Sequence, residues 1–438
     1  MYIVFFLEKA VHVQLKNYLS DNNILYSYQS GFRKGHSTDT CLINLFDYIH
    51  CGISEGDYVG MILLDLQKAF DTVNHKILCD KLEIMGVGCI EWFHSYLSNR
   101  KQYVSVNNVY SKYGLVTCGV PQGSILGPLL FLCYINDMPI SVTCKLLLYA
   151  DDSALLVRGK DANIIASILS ENLSSCRKWL IDNKLSLHLG KTETILFGTK
   201  QKLKNVKDFS VKCNKINIQK VKCVKYLGLT LDENLSGVEI VSNILKKSSG
   251  RLKFLYRHAD ILNTKSRKTL CSALIQCYFD YSSSSWYSGL NKTLKTKLQI
   301  MQNKIIRFIL NLGSRAHIGC EEREQVNMLK VSDRVRQNKL NHIHRIWNES
   351  CPVYMKDHFH KISETELRNC TRASFHNFFV PRVNKQATNT FFYSGIKDWN
   401  FLHSNLKQIP TLDMFKEKVK DKILLEARES ESCPFLFY

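Results

Sequence analysis

Three aspartates in this sequence stand where they could bind a divalent cation. Asp151 and Asp152 lie between two apolar runs, residues 145–148 and 153–157, a pattern that predicts a hairpin with both acids at its turn. Adjacent carboxylates repel each other as anions, and Mg²⁺, which prefers oxygen ligands, would relieve that repulsion. Asp65 follows a further apolar run, residues 59–64, which predicts a buried strand. We therefore expect one metal cluster on two strands, although Asp151 and Asp152 taken alone are as typical of a surface turn.

The composition indicates a globular protein with a polyanionic partner. The 438 residues are 45% hydrophobic and carry a formal net charge of +20. The length permits two or three domains, and the charge favours nucleic acid over a membrane surface. The sixteen cysteines are scattered, as at Cys41, Cys89, Cys133, Cys277 and Cys370, and no Cys-x-x-Cys pair occurs. We interpret them as reduced thiols of an intracellular protein.

The N-terminal segment predicts an amphipathic helix. Residues 1–7 are apolar but too few to cross a bilayer, and Glu8 and Lys9 follow without a cleavage-site pattern. No signal peptide, membrane anchor or membrane partner is therefore expected.

Five motifs surround the acids in a definite order. They are residues 29–33 (QSGFR), residues 65–71 (DLQKAFD), residues 119–124 (GVPQGS), the hairpin at 149–152 (YADD), and residues 183–185 with 191–193 (NKL and KTE). In this order and spacing the chain resembles reverse transcriptases of non-LTR retrotransposons, the jockey-like elements in particular, from about Phe6 onward. The resemblance also implies an N-terminally truncated chain, because the family's first fingers motif and upstream endonuclease have no counterpart here.

The resemblance implies an α+β, right-hand polymerase fold. Its palm would contain an antiparallel sheet, its fingers would come from flanking segments, and a helical thumb and a C-terminal extension would follow. Residues 1–235 would form the fingers and palm, residues 236–348 the thumb, and residues 349–438 the extension. Residues 224–231 read as a strand broken by Gly228 and are similar to the family's primer-grip hairpin. The lysine-rich residues 200–222 predict a solvated loop or edge hairpin, with nucleic-acid contact as the alternative.

The predicted thumb is strongly basic. Between Lys246 and Arg307 the only acidic residues are Asp260 and Asp280, whereas the basic residues there include Lys247, Arg251, Lys253, Arg257, Lys265, Arg267, Lys268, Lys292, Lys295, Lys297 and Lys304. Apolar residues recur at three- and four-residue spacing at Leu294, Leu298, Met301, Ile305 and Ile309. This spacing predicts a helix with Lys297, Lys304 and Arg307 off the apolar stripe. We expect a phosphate-binding face, with a merely soluble basic helix as the alternative.

The resemblance assigns catalytic roles to the acids. Asp65 and Asp151 would bridge two Mg²⁺ ions about 3.5–4 Å apart, with Mn²⁺ as an alternative ion. Asp152 would add charge and contact the ion nearer the primer. Lys191 matches a lysine that protonates the departing pyrophosphate, although His188 replaces the usual asparagine three residues earlier; Lys184 is the alternative.

Further residues are implied near the nucleotide. Phe70 matches a gate whose ring would exclude a 2′-hydroxyl, with a core phenylalanine as the alternative. Gln122 and Gly123 are expected near the nucleotide and template. Arg33 matches a fingers arginine that neutralises the triphosphate, with a structural salt bridge as the alternative. Asp71 reads as a helix N-cap or a structural acid.

The predicted reaction is RNA-directed DNA synthesis, in which a DNA primer is extended with deoxynucleotides on an RNA template. A catalytically inactive relic that still binds nucleic acid is the main alternative, and an RNA-dependent RNA polymerase is the third. The expected location is intracellular, in the nucleus or the cytoplasm, with the nucleus expected for retrotransposition. Residues 349–438 receive no chemical assignment, because their histidines and those just before them lack cysteine partners at metal-binding spacing.

Overall fold

The computed structural model describes residues 2–364, 375–384 and 387–432. Cys370, one of the cysteines read as a reduced thiol, lies outside the described residues. The chain divides into two compact units, one comprising Met1–Cys41 with Asp57–Lys222 and the other Leu42–Gly56 with Cys223–Tyr438. The predicted domain limits at residues 235 and 348 stay a prediction.

The first unit contains a five-stranded sheet, short ribbons and helices. Its helices are α1 Tyr2–Asp21, the start of α2 Thr38–Ser54, α3 His75–Ile84, α4 Ile90–Leu97, α5 Gly127–Ile135, α6 Ala162–Asp182 and α7 Lys200–Lys204. Its strands are β1 Tyr58–Leu64, β2 Lys101–Gln102, β3 Ser105–Val106, β4 Val109–Tyr110, β5 Gly114–Leu115, β6 Lys145–Tyr149, β7 Asp152–Gly159, β8 Glu193–Phe197, β9 Lys212–Cys213, β10 Ile216–Asn217 and β11 Gln219–Lys220. Short 3₁₀ turns occur at Ala69–Asp71 and Met138–Ser141.

The sheet has the strand order β11-β8-β1-β7-β6. The central strand β1 runs antiparallel to β7 and β8, and β6 runs antiparallel to β7. Only the short edge strand β11 is parallel to its neighbour β8. The antiparallel sheet and the β1 strand were predicted, and the structure confirms them. The lysine-rich residues 200–222, predicted to be a solvated loop or edge hairpin, instead contain helix α7, the β9–β10 hairpin as a separate two-stranded sheet, and the edge strand β11.

Helix α6 packs closely on the central strand. A Cβ atom at Gly60 of β1 would lie 2.5 Å from Cγ2 of Ile165 and 2.7 Å from Cδ1 of Leu169, both on α6. Any larger residue at this position would displace these side chains, so Gly60 permits the close approach of α6 to β1. Helix α6 begins at its cap Asp161, whose carboxylate accepts the N–H groups of Asn163 and Ile164. The packing of α6 against β1 therefore helps to fix the position of the central strand.

The second unit is mainly helical. Its helices are α8 Val238–Tyr256, α9 Thr264–Cys271, α10 Cys277–Asp280, α11 Ser283–Trp286, α12 Lys292–Leu310, α13 Cys320–Gln325, α14 Val331–Trp347, α15 Phe391–Asn400, α16 Ser404–Lys407 and α17 Leu412–Ser432. A π-helical turn, Ser272–Gln276, joins α9 to α10, and 3₁₀ turns occur at Ala259–Ile261, Val353–Met355, Ile362–Glu364 and Ala387–Asn389. Its two strands, β12 Cys223–Tyr226 and β13 Leu229–Asp232, form an antiparallel hairpin.

The predicted thumb helix is present as α12, and its five stripe residues are all buried. Lys297 and Lys304 are exposed, as predicted for a basic face. Arg267 is the exception and does not belong to such a face. It is buried, and its guanidinium donates to the carbonyls of Leu262, Ala259 and Phe308. A basic residue can thus serve packing, which charge counting along a sequence does not detect.

Residues 42–56, which include most of helix α2, belong to the second unit, and a buried acid on α2 bonds to that unit. Asp47 is 7% exposed, and its carboxylate accepts the backbone N–H groups of Phe391 at 2.6 Å and Phe392 at 3.1 Å, at the start of α15. Burial raises the pKa of Asp47 to about 7. The unfolded chain ionises near the ordinary value, so the stability linked to this group is full at low pH and is lost as pH rises to about 7.

Among the described residues, no helix combines the length and the apolar character needed to cross a bilayer.

Candidate active site

The predicted acids meet at one edge of the sheet in the first unit. Strands β1 and β7 pair with Leu64 opposite Ser153. Extending this register by one residue sets Asp65 opposite Asp152, where Cβ atoms of antiparallel strands are about 4.5–5.5 Å apart. Asp151 precedes β7 directly. Two segments that lie more than eighty residues apart in the sequence thus bring their carboxylates to one place.

The hairpin between β6 and β7 is as tight as a hairpin can be. Tyr149 pairs with Asp152, which leaves only Ala150 and Asp151 in the turn. Ala150 has φ +54°, a left-handed conformation that costs a residue with a Cβ about 1–2 kcal/mol. The predicted hairpin is present with Asp151 in its turn, whereas Asp152, expected in the turn as well, is the first residue of β7. The strained turn needs support from its surroundings.

That support comes from Gln29, a residue for which the sequence predicted no role of its own. The Gln29 side chain is 2% exposed, and its Oε1 accepts the backbone N–H groups of Gly31 at 2.8 Å and of Ala150 at 3.0 Å. The backbone beside it also pairs with β6, because Ser30 donates to the Leu148 carbonyl at 2.8 Å. Gln29 therefore holds the turn that carries Asp151.

Gly31 completes this contact. A Cβ atom there would lie 2.5 Å from the backbone nitrogen of Ala150, closer than atoms can approach without displacement. The Gln-Ser-Gly part of the first motif is thus a brace for the acidic turn. Its glycine signalled a close backbone approach, but the approached segment lies 119 residues away.

The acids influence one another electrostatically. Partial burial, followed by the negative charges of Asp151 and Asp65, raises the pKa of Asp152. A cation bound between them would reduce this repulsion. In the part of the chain that the structure describes, no three His, Cys, Asp or Glu side chains form a ready metal-binding group. Mg²⁺ is usually held by one or two carboxylates together with substrate phosphates and water, so the donor set fits this ion, and the ligand roles stay a prediction.

The segment with Lys191 is attached to the backbone of Asp65. The His188 N–H donates to the Asp65 carbonyl at 2.8 Å, and the Gln67 N–H donates to the Ser186 carbonyl at 2.9 Å. Lys191 follows in a turn closed on His188 and is exposed. Its backbone is therefore positioned by the same strand end as the first acid, while its proposed role in protonation stays a prediction.

Phe70 combines features of both interpretations given for it. It is half-buried, and its ring stacks on the buried Phe131 with 4.1 Å between centroids. Its other neighbour is the exposed Phe32, at 6.2 Å in an edge contact. One face of the ring belongs to the core, and the ring remains accessible near the first motif.

The Gly119–Ser124 motif is fastened to the segment that follows Asp65. The Gly119 N–H donates to the Val73 carbonyl at 2.8 Å, and a Cβ at Gly119, which has φ +89°, would lie 2.7 Å from the Asp71 carbonyl oxygen. Gln122 is exposed and donates through Nε2 to the Asp71 carboxylate at 2.7 Å. Gly123 has φ +81° and open space around it.

Asp71 is a structural acid and not a helix N-cap. Helix α3 is capped by Asn74, whose side chain accepts the Ile77 N–H at 3.0 Å. The N-cap alternative was wrong because the chain makes a 3₁₀ turn at Ala69–Asp71 and the helix begins only at His75. The Asp71 carboxylate instead fixes Gln122.

The Arg33 guanidinium forms hydrogen bonds with backbone carbonyls of its own loop. Its Nη1 donates to the carbonyl of Tyr26 at 2.7 Å and of Gln29 at 3.1 Å. Its role at the triphosphate stays a prediction.

The second unit contains the hairpin predicted from residues 224–231. Leu227 with φ +41° and Gly228 with φ +80° form its two-residue turn. Tyr281 donates through its hydroxyl to the Leu227 carbonyl at 2.6 Å. The glycine thus reverses the chain between two strands.

Comparisons with known proteins agree with the motifs. The sequence matches the family described as reverse transcriptase (RNA-dependent DNA polymerase) over residues 5–231. It is 29% identical to the probable RNA-directed DNA polymerase from transposon BS of Drosophila melanogaster, over 76% of this chain and 39% of that protein. It is 26% identical to the RNA-directed DNA polymerase from mobile element jockey of the same fly, over 64% of this chain and 32% of that protein.

These matches confirm the resemblance to jockey-like elements. The chain spans well under half the length of both fly proteins, 39% and 32%. A solved structure of telomerase from Candida albicans with a fragment of telomeric RNA aligns at 13% identity over 76% of this chain and 56% of that chain, with a TM-score of 0.37.

Proposed function

Because the chain belongs to the reverse transcriptase family, we propose that it catalyses RNA-directed DNA synthesis. The reaction would extend a DNA primer with deoxynucleoside triphosphates on an RNA template. One observation carries this proposal: the β1–β7 register ends with Leu64 opposite Ser153, so the next residues, Asp65 and Asp152, come together beside Asp151 at one end of these strands, within the residues that match the family. Its location would be intracellular, with the nucleus expected for retrotransposition.

In the proposed reaction the primer 3′-hydroxyl attacks the α-phosphorus of the nucleotide. A new oxygen–phosphorus bond forms, the hydroxyl loses its proton, and the bond to pyrophosphate breaks. Two Mg²⁺ ions, held by Asp65, Asp151 and Asp152, would supply Lewis-acid stabilisation of the attacking and leaving oxygens. Mn²⁺ would be an alternative ion.

The remaining side chains would bind and orient the substrates. Arg33 would neutralise the triphosphate, and the accessible ring of Phe70 would pack under the sugar and exclude a 2′-hydroxyl. Gln122, oriented by Asp71, and the open backbone at Gly123 would contact the nucleotide and template. Lys191 would protonate the departing pyrophosphate.

Primer extension tests the proposal. Purified protein is incubated with an RNA template, an annealed DNA primer, deoxynucleotides and Mg²⁺, and the products are separated on a gel. We expect extension by the wild type and a rate loss of roughly 100-fold or more for Asp152→Asn, because a ligand of transition-state-stabilising ions is removed. Asp80→Asn, a change at an exposed acid on α3, serves as the matched control and should retain the wild-type rate.

The same assay separates the alternatives. A relic would bind the template and primer, but neither the wild type nor Asp152→Asn would extend the primer. An RNA-synthesising enzyme would extend the primer at least as fast with ribonucleotides. Either result would overturn the proposed function.

A further inference from the structure

An exposed β-ribbon projects from the first unit between α4 and α5. Strands β2 and β5 pair at its base, and β3 and β4 pair at its tip. Ser111 joins the two ladders, since its N–H donates to the Val104 carbonyl at 2.9 Å and its hydroxyl accepts the Val104 N–H at 2.9 Å. Asn107 and Asn108, with φ +49° and +63°, form the tight tip turn. We refer to residues 101–115 as the ribbon.

The ribbon exposes large apolar side chains along its whole length. These are Tyr103 at 47% exposed, Val104 at 65%, Val106 at 62%, Val109 at 72%, Tyr110 at 63%, Tyr113 at 71% and Leu115 at 62%. Every residue from 101 to 115 is exposed. So many exposed large apolar side chains in one short ribbon indicate an interaction site.

Three tyrosine rings gather on the ribbon. The Tyr103 ring lies 5.5 Å from the Tyr110 ring and 5.1 Å from the Tyr113 ring, centroid to centroid. Such cross-strand pairs stabilise a ribbon. Even so, each of the three tyrosines remains about half exposed or more. The group therefore presents open aromatic surface to a partner.

The charge around the rings favours an anionic partner. Residues 100–118 contain Arg100, Lys101 and Lys112 and no acidic residue. Aromatic rings can stack on the bases of single-stranded nucleic acid, and neighbouring basic side chains can bind its phosphates. The ribbon combines both features.

The base of the ribbon lines a cavity that it shares with the start of the Gly119–Ser124 motif. Residues 100–102 and 115–118 line a cavity of about 740 Å³, whose other walls include Lys68, Asp71 and Gln122. A strand lying along the ribbon would therefore enter the cavity beside the motif expected to contact the template.

We propose that the ribbon binds single-stranded nucleic acid by stacking unpaired bases on Tyr103, Tyr110 and Tyr113. Resting on the proposed function, this strand is the unpaired template ahead of the site of synthesis. Arg100, Lys101 and Lys112 contact its phosphates, and the ribbon guides it into the cavity at its base.

Binding of labelled oligonucleotides without nucleotide or Mg²⁺ tests the assignment. The probes are 15-nucleotide oligo(rU) and oligo(dT), with a 15-base-pair RNA duplex for comparison, measured by fluorescence anisotropy. The triple change Tyr103→Leu, Tyr110→Leu, Tyr113→Leu should weaken single-strand binding by roughly 5- to 150-fold per stacked base. The matching triple change to Phe keeps the rings and should bind within about 2-fold of the wild type.

The lysines provide a readout that does not depend on the rings. Lys101→Gln with Lys112→Gln should reduce the slope of log Kd against log salt by about 1.4, since each contact with a single strand contributes about 0.7. If the slope of log Kd against log salt in this double variant equals that of the wild type, the proposed phosphate contacts of Lys101 and Lys112 are wrong. Circular dichroism of each variant verifies that it is folded.

Three further results would overturn the proposal. One is wild-type affinity in the Leu variant, and another is an equal loss of duplex and single-strand binding. The third is a change of oligomeric state by light scattering with unchanged oligonucleotide binding, which would make the ribbon a contact between copies of this chain. All binding is repeated in Asp152→Asn, where ribbon-dependent binding can persist although synthesis fails. Primer extension by the wild type can likewise persist although the ribbon does not bind a single strand, so the two proposals fail separately.

Discussion

Replacing Gln29 tests whether the acidic turn needs the brace that the first motif provides. Gln29→Met keeps the length and volume of the side chain but removes the oxygen that accepts the N–H groups of Gly31 and Ala150 at 2.8 and 3.0 Å. Each buried donor left without an acceptor costs about 1–3 kcal/mol. The turn is next to the half-buried Asp151, where water can reach, so we expect the lower part of this range, about 2–3 kcal/mol in total.

This loss should leave the chain folded but shift the turn. Domain stabilities are about 5–15 kcal/mol, so most molecules of Gln29→Met remain native. Displacement of a reacting group by about 1 Å can lower a rate about 100-fold, and the brace contacts the residue directly before Asp151. We therefore expect kcat for primer extension to fall by about 10- to 100-fold, with the Kd for template and primer changed less than about 3-fold.

Gln29→Glu is the matched control. A carboxylate at this position retains oxygens that can accept both N–H groups, although it also buries a charge near Asp151. We expect its kcat to exceed that of Gln29→Met, most clearly near pH 6, where a buried carboxyl is more readily protonated. The measurements are single-turnover extension, anisotropy with labelled primer, and urea unfolding. Wild-type kcat in Gln29→Met, together with the expected loss of stability, would refute the brace.

Three further changes test other contacts. Gly31→Ala should lower kcat at least as much as Gln29→Met, because its Cβ would lie 2.5 Å from the Ala150 nitrogen; unchanged extension would show that the contact adjusts freely. Phe70→Ala should increase ribonucleotide incorporation relative to deoxynucleotide incorporation in the same extension assay, whereas a fall in both rates without a change in their ratio would indicate a core role alone. Asp47→Asn should flatten the pH dependence of unfolding: with a folded pKa of about 7, the wild type loses about 2–3 kcal/mol from pH 5 to pH 8 relative to this variant. If the unfolding free energies of the two proteins, measured with urea, change in parallel with pH, the raised pKa of Asp47 is contradicted.

The acids, their strands and the hairpin could be predicted because the information is local. A run of apolar, strand-forming residues ending in a single acid predicts β1 and Asp65, and two apolar runs on either side of residues 149–152 predict the hairpin. The periodicity of residues 294–309 predicted α12 with its buried face for the same reason. These patterns reflect side-chain burial within one element, which neighbouring residues largely determine.

Errors arose where a residue's partner is distant. Arg267 was grouped with a basic face by charge alone, but it is buried, and it donates to the carbonyls of Ala259 and Leu262 and to that of Phe308, 41 residues away. Asp71 was read partly as a helix cap, but the chain turns once more before α3 begins at His75. Gln29 received no role because its contact with Ala150 spans 121 residues.

The sequence by itself determined which residue types could do chemistry and which elements carry them. The order of residues and the period of the hydrophobic ones are sufficient to predict these elements, because backbone preference and side-chain burial within one element depend on neighbouring residues. Only the tertiary structure decided that Asp65 lies opposite Asp152, that Gln29 supports the turn between β6 and β7, and that three tyrosines share one exposed ribbon. Strand register and long-range hydrogen bonds depend on the free energy of the whole packed unit, so no local pattern contains them.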